Sequence, residues 1–202
     1  MTAPLGVILA GGLATRMGGG DKGALPLGSS TLMDHVIARL SPQVGTIALN
    51  ANGDPARFKH VNLPVVADSV DGFAGPLAGV LAGLDWAAEQ GATSIVTAAA
   101  DTPFFPVDLV SQLQRASEGM THPLALAATP DPKRGISRHP TFGLWSVALR
   151  DDLRSALLGG VRKVVQWTDS HDGELAMFPM GENDPFFNVN TPNDLAQAEA
   201  ML

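Results

Sequence analysis

Val7-Ile8-Leu9-Ala10-Gly11-Gly12-Leu13-Ala14-Thr15-Arg16-Met17-Gly18-Gly19-Gly20-Asp21-Lys22 is the stretch on which the fold turns. Its apolar opening predicts a buried strand that stops abruptly at two glycines. The loop that follows holds five glycines, Arg16 and Lys22, and little else that is polar. Glycine lets backbone N–H groups approach a ligand through dihedrals closed to other residues. Successive inward-pointing N–H groups form an anion nest, to which the arginine and the lysine add full charges. The loop therefore predicts a polyphosphate cradle at a strand end. It is neither a Gly-x-x-x-x-Gly-Lys-Ser/Thr loop nor a Gly-x-Gly-x-x-Gly turn. A glycine-rich turn that merely links a strand to a helix would have no use for Arg16 and Lys22 at these offsets.

Working outward, short apolar runs alternate with segments of helical spacing. Thr31-Leu32-Met33-Asp34 has the form of a capping box, with Leu32, Val36 and Leu40 on one helix face. Thr46–Asn50 and Leu63–Ala67 predict strands. Gly75-Pro76-Leu77-Ala78-Gly79 opens an apolar helix through about Ala88, with Pro76 suited to its first turn. Ser94–Ala99 predicts a parallel strand buried on both faces, and another helix is expected near Pro106. Leu124–Thr129, Thr141–Trp145 and Leu175–Pro179 predict further strands, and Ala148–Leu158 and Arg162–Trp167 helices. Thr191 and Pro192 mark the start of a last helix over Leu195–Met201. This alternation predicts a three-layer α/β/α sandwich with a mostly parallel, Rossmann-like central sheet. No repeat or linker divides residues 1–202, so one domain is expected.

Composition narrows the partners. The chain has 202 residues, 45% of them hydrophobic and 16% charged, enough for a full three-layer core. No apolar run reaches bilayer length and no signal segment is evident at the start, so no membrane partner is expected. With no cysteine, disulfides, thiolate catalysis and Cys-ligated zinc are excluded, and a cytoplasmic setting fits. A net charge of −7 argues against nucleic acid as a partner. Eight of the 13 basic residues lie beyond residue 110, around Lys133, Arg134, Arg138 and around Arg150, Arg154, Arg162, Lys163. They are read as a solvated surface or as an acceptor side.

In open parallel sheets, ligands gather outside the carboxyl ends of the strands. Arg16 and Lys22 follow the first predicted strand, Asn50 ends the second, Asp68 follows the third and Asp101 the fourth. A carboxylate there, beside phosphates, suits Mg²⁺, which takes one or two protein carboxylates and keeps several waters. Asp101 in Asp-Thr-Pro also suits a turn cap. Asn188 and Asn190, at i and i+2 of an extended segment, are either site amides or turn formers ahead of a helix. His139, in His139-Pro140-Thr141-Phe142-Gly143-Leu144-Trp145, is either a phosphate contact or structural, and the three tryptophans are read as core.

Leu9-Ala10-Gly11-Gly12, Arg16-Met17-Gly18-Gly19 and Asp21-Lys22 resemble the nucleotidyltransferase superfamily. The paired glycines and the Gly-Gly-x-Asp-Lys ending are most similar to the molybdenum cofactor guanylyltransferases. The resemblance runs on through Asn50-Ala51-Asn52, Asp68, Gly75–Gly79, Asp101-Thr102-Pro103, His139-Pro140-Thr141 and Asn188–Pro192. It implies GTP contacts at Leu9, Ala10, Gly11, Gly12, Lys22, Asn50, Asp68, Asp101 and Asn188. It further implies Mg²⁺ as cofactor on Asp101 and Asn190, and catalytic roles for Arg16, Lys22 and Asp101. The implied reaction joins GMP from GTP to the terminal phosphate of molybdopterin, with cofactor-assembly proteins and molybdoenzymes as onward partners. Superfamily members that transfer cytidylyl or uridylyl groups often carry Ala-Ala-Gly where this chain has Ala10-Gly11-Gly12. A cytidylyltransferase acting on molybdopterin or another phosphorylated acceptor is the neighbouring reading, and a non-catalytic nucleotide-binding subunit the remote one.

Overall fold

The computed structural model describes residues 3–11, 22–70, 72 and 75–202. The first apolar run forms β1 (Leu5–Leu9). Beyond Lys22 a small hairpin, β2 (Pro26–Leu27) and β3 (Ser30–Thr31), turns at Gly28, whose φ of +59° suits a residue without a β-carbon. Two-residue strands carry too little alternation to be visible in the sequence. The hairpin feeds α1 (Leu32–Leu40), whose capping box forms as expected between Thr31 and Asp34.

Next come β4 (Ile47–Asn50), a 3₁₀ run over Pro55–Val61 and a short β5 (Val65–Val66). The predicted strand at Leu63–Ala67 thus shrinks to the two residues that pair with β4 at the sheet edge. α2 (Pro76–Glu89) starts at Pro76, and β6 (Ser94–Ala99) is the strand expected there. The chain continues through α3 (Leu109–Ala116), β7 (Leu124–Asp131), β8 (Gly135–Ser146), α4 (Arg150–Leu158), α5 (Val164–Asp169), β9 (Glu174–Met177) and α6 (Pro192–Glu199).

The main departure lies in β7 and β8. The strand expected at Thr141–Trp145 is only the end of a twelve-residue β8, and His139-Pro140 lies inside it rather than in a preceding loop. The β7–β8 hairpin projects past the sheet on its own ladder, so its tip needs no apolar alternation. The register also slips between Leu126 and Ala127, which hides the strand's period.

The seven strands lie in the order β5-β4-β1-β6-β8-β7-β9, and β8 alone runs against the rest. Alternate residues sort the core. Ile8, Leu49, Val96 and Ala98 meet α1 and α3 on one face. Val7, Ala48, Ile95 and Trp145 meet α2, α4 and α5 on the other. This is the three-layer sandwich, with a smaller cluster of Leu27, Leu32, Val189 and Ala198 packing α6 at the side. From β1 the chain passes to β4 on one side, then returns over the opposite face to β6 on the other. The strand order therefore reverses at the carboxyl ends of β1 and β6, where a crevice is expected. Among the described residues, no helix is long and apolar enough to cross a membrane.

Candidate active site

Three residues from distant parts of the chain meet at that reversal. Lys22 opens a short 3₁₀ turn, Asp101 lies just past β6, and Asn190 precedes the N-cap of α6. The Lys22 ammonium donates to Asp101 Oδ2 at 3.2 Å and to Asn190 Oδ1 at 2.5 Å. Backbone pairing enforces the meeting: the Val189 N–H donates to the Asp101 carbonyl at 2.8 Å, and the Val189 side chain is buried. Leu9, Ala10, Lys22, Ala100 and Asp101 line one recess. Its floor is tied together by Ala10 N–H to the Asn50 carbonyl and Ala100 N–H to the Leu9 carbonyl.

The segment carrying Asn188 and Asn190 is held from both ends. Phe186 is buried against Phe142 and Phe178, with the His139 ring stacked on it at 4.2 Å between centroids. At the other end Asp194 completes a capping box with Thr191 and also accepts from the Asn190 N–H at 2.9 Å. These backbone donors hold the Asp194 carboxyl below its ordinary range, the Asn190 N–H contributing most. Asn188 lies exposed beside them.

A second group forms at the ends of β4 and β5. Asp68 accepts from the Asn50 amide at 3.0 Å and from the Asn52 amide at 2.8 Å, while its own N–H donates to Asn52 Oδ1 at 2.9 Å. Asn50 is 4% exposed and also donates to the Val66 carbonyl, so its amide orients Asp68 from beneath. Both amide donors are neutral. The Asp68 carboxyl oxygens keep outer lone pairs with which to accept further hydrogen bonds.

His139 is half-buried, with Nε2 2.9 Å from the Thr129 hydroxyl oxygen. Burial pushes its pKa down, and nearby Asp184 opposes the shift. Its place is structural, under the segment of Phe186. Of the basic groups, Arg150 and Arg154 pair with Asp85 of α2, and Arg138 pairs with Asp169. Arg162 donates to the carbonyls of Leu157 and Val161. Lys133 and Arg134 sit at the β7–β8 turn, on the same end of the sheet as Asp101. Gly12 and Arg16 lie outside the described residues. A larger hollow of about 740 Å³ opens at the opposite end of the sheet, between α3 and Ser146–Ala148, and holds none of the residues above.

With this geometry in view, a family profile described as MobA-like NTP transferase domain matches residues 6–173. The chain belongs to the MobA-like NTP transferase family. It is 51% identical to the molybdenum cofactor guanylyltransferase of Bradyrhizobium sp. (strain ORS 278), over 99% of this chain and 93% of that protein. The protein of the same name from Rhodopseudomonas palustris (strain HaA2) is 52% identical over 98% and 92%. Among solved structures, the molybdopterin-guanine dinucleotide biosynthesis protein A of Archaeoglobus fulgidus superposes with a TM-score of 0.72 at 23% identity, covering 98% and 97% of the two chains. The 4-diphosphocytidyl-2C-methyl-D-erythritolsynthase of Anaerococcus prevotii superposes at 0.75 with 14% identity, over 99% and 96%. These last two likenesses establish the fold.

Within this family fold the three residues around the ammonium and the amide-held Asp68 stand on either side of β1. Nothing in the sequence assigns Phe186 a role, and Asn52 is visible there only as part of Asn50-Ala51-Asn52. Asn52 stands two residues from Asn50, the same spacing as Asn188 and Asn190, and that repetition was the available signal.

Proposed function

We propose that this chain transfers the guanylyl group of GTP to the terminal phosphate of molybdenum-bearing molybdopterin, releasing pyrophosphate. The convergence of Lys22, Asp101 and Asn190 at the strand-order reversal carries this reading, because it is a charged site built where sheets of this kind bind nucleotides. The names of the relatives at about half identity supply the nucleotide and the acceptor.

The chemistry asks mainly for position and charge. An oxygen of the acceptor phosphate attacks the α-phosphorus of GTP, and the bond from that phosphorus to the α,β-bridging oxygen breaks, so that pyrophosphate leaves. The nucleophile is already anionic, so no general base is needed. Two anions must be held together while charge grows on the leaving group, which is the task of oriented N–H groups and cations. Lys22 is placed to meet phosphate oxygens, with Arg16 and the N–H groups of the glycine loop as further donors. Asp68, braced by Asn50 and Asn52, offers a fixed acceptor to the nucleoside. Leu9, Ala10 and Gly11 bring backbone close to it, and exposed Asn188, two residues before Asn190, is read as a further contact. Lys133 and Arg134, on the projecting hairpin, supply positive charge on the acceptor side.

The donor set also fits Mg²⁺. One carboxylate and one amide carbonyl, both hard oxygens, converge on a single cation, here the lysine ammonium. Asp101 and Asn190 would hold the ion, which when bound supplies charge neutralisation at the phosphates. We place the reaction in the cytoplasm, which a chain without cysteine fits, with cofactor-assembly proteins and molybdoenzymes as its partners.

Isothermal titration in Mg²⁺ with GTP, CTP, UTP and ATP tests the reading. Selective binding of GTP is expected. A preference for CTP would move the chain to a cytidylyl transfer, and binding of no nucleotide by folded protein would overturn the enzymatic reading.

A further inference from the structure

Asp101 and Asn190 are the oxygen donors a divalent ion would use, and a cation already stands between them. Lys22 Nζ lies 3.2 Å from the Asp101 carboxylate and 2.5 Å from the Asn190 carbonyl oxygen, and the Lys22 and Asp101 side chains are only 19% and 18% exposed. The position therefore holds one carboxylate and one amide oxygen, and one lysine balances the charge. Two cations cannot occupy it together. At such separations their repulsion is large even with the screening of a half-buried site. Leaving the pocket would strip the lysine of its partners unless another anion took them over. The phosphates of a nucleotide are such an anion, and their negative charge offsets the positive charge that an incoming metal ion brings.

We infer that Lys22 is the resident counter-cation of the Asp101–Asn190 oxygens, and that a divalent ion binds there tightly only as this lysine transfers to a phosphate. Metal and nucleoside triphosphate then enter as one event. The protein without nucleotide holds the metal only weakly, and the lysine reaches the phosphates at the moment the metal takes its place. This rests on the proposed nucleotidyl transfer for the identity of the phosphate, but the competition itself concerns only the lysine and the metal.

The test uses the whole chain without nucleotide. Mn²⁺ is titrated while the free-ion signal is followed by electron paramagnetic resonance, for the wild type, Lys22→Met and Lys22→Gln. Removing the ammonium is expected to tighten Mn²⁺ binding by roughly tenfold or more, the scale of one partly buried ion pair. The gain should vanish in Lys22→Met/Asp101→Asn. Circular dichroism melts identify which variants are folded, and either lysine variant suffices. Unchanged or weaker Mn²⁺ binding in a folded lysine variant would overturn the inference, as would a gain that survives Asp101→Asn. Failure of the wild type to bind any nucleotide would sink the proposed function while leaving this comparison intact.

Discussion

Lys22 and Asp101 have no packing reason to be where they are. Each is polar and only partly exposed, Lys22 at the start of a 3₁₀ turn and Asp101 just past β6. Replacing either with alanine is accordingly expected to cost activity and spare the fold. A loss of roughly 10²–10³ in turnover is anticipated, the scale of removing one preorganised charge from a group-transfer site. Guanylyl transfer assayed beside thermal melts checks this, and near-normal turnover in both variants would show the site to be misplaced. His139 works differently. Its burial lowers its pKa, so the folded chain resists a proton that the unfolded chain accepts below about pH 6.5. Stability owed to the neutral ring is complete above that value and is lost as pH falls through the lower folded value. The urea midpoint of the wild type should drop between pH 7 and 5, and His139→Gln should drop less. Parallel declines would exclude this role. Among residues, the legible ones were those whose chemistry is out of place in a strand end. Asn52 was not, because asparagine is an ordinary turn former and its hold on Asp68 exists only once β4 and β5 lie side by side.

At the scale of elements, α2 matters most to the site. It lies directly on β1, β4 and β6, and two of its glycines make the approach possible. A β-carbon at Gly83 would stand 2.8 Å from Val7, and one at Gly79 would overlap the Asn50 amide and stand 2.9 Å from Leu9. The helix thus presses Asn50 into the position from which it orients Asp68. Gly79→Ala should therefore lower stability by about 1–3 kcal/mol, the usual cost of overpacking. It should also weaken GTP binding out of proportion, because the amide that must give way is the one beneath Asp68. Denaturant unfolding and calorimetric titration measure the two effects, and a destabilised variant with unaltered GTP affinity would break this link. The helix was visible in sequence from Pro76 and its apolar run, the capping box forms where Thr31 announced it, and Thr191 caps α6 as expected, its box with Asp194 being added by the structure. The β7–β8 hairpin was less visible, since its projecting half pairs with itself and is released from the in-out pattern that marks a strand over a core.

Across the whole molecule, the decisive fact is that the chain visits β4 before β6, on opposite sides of β1 and over opposite faces. That path opens a crevice at the carboxyl ends of β1 and β6, beside Asp101. The acidic chain resolves its need for positive charge locally, by setting Lys22 at this crevice while Arg150 and Arg154 are spent on bracing α2 to α4 through Asp85. Those arginines looked alike in sequence to the basic residues of the hairpin, and only the packing of helices separated them. By itself the sequence determined the layered α/β architecture, the glycine loop and the strand-end residues, because periodicity, caps and misplaced charges are local properties of the chain. Tertiary structure alone decided that Lys22 would sit between Asp101 and Asn190, 79 and 168 residues away, and that Asn50 and Asn52 would brace Asp68. Such contacts depend on which strand ends become neighbours. Strand order is set by the packing energy of the assembled sheet, which no single segment carries.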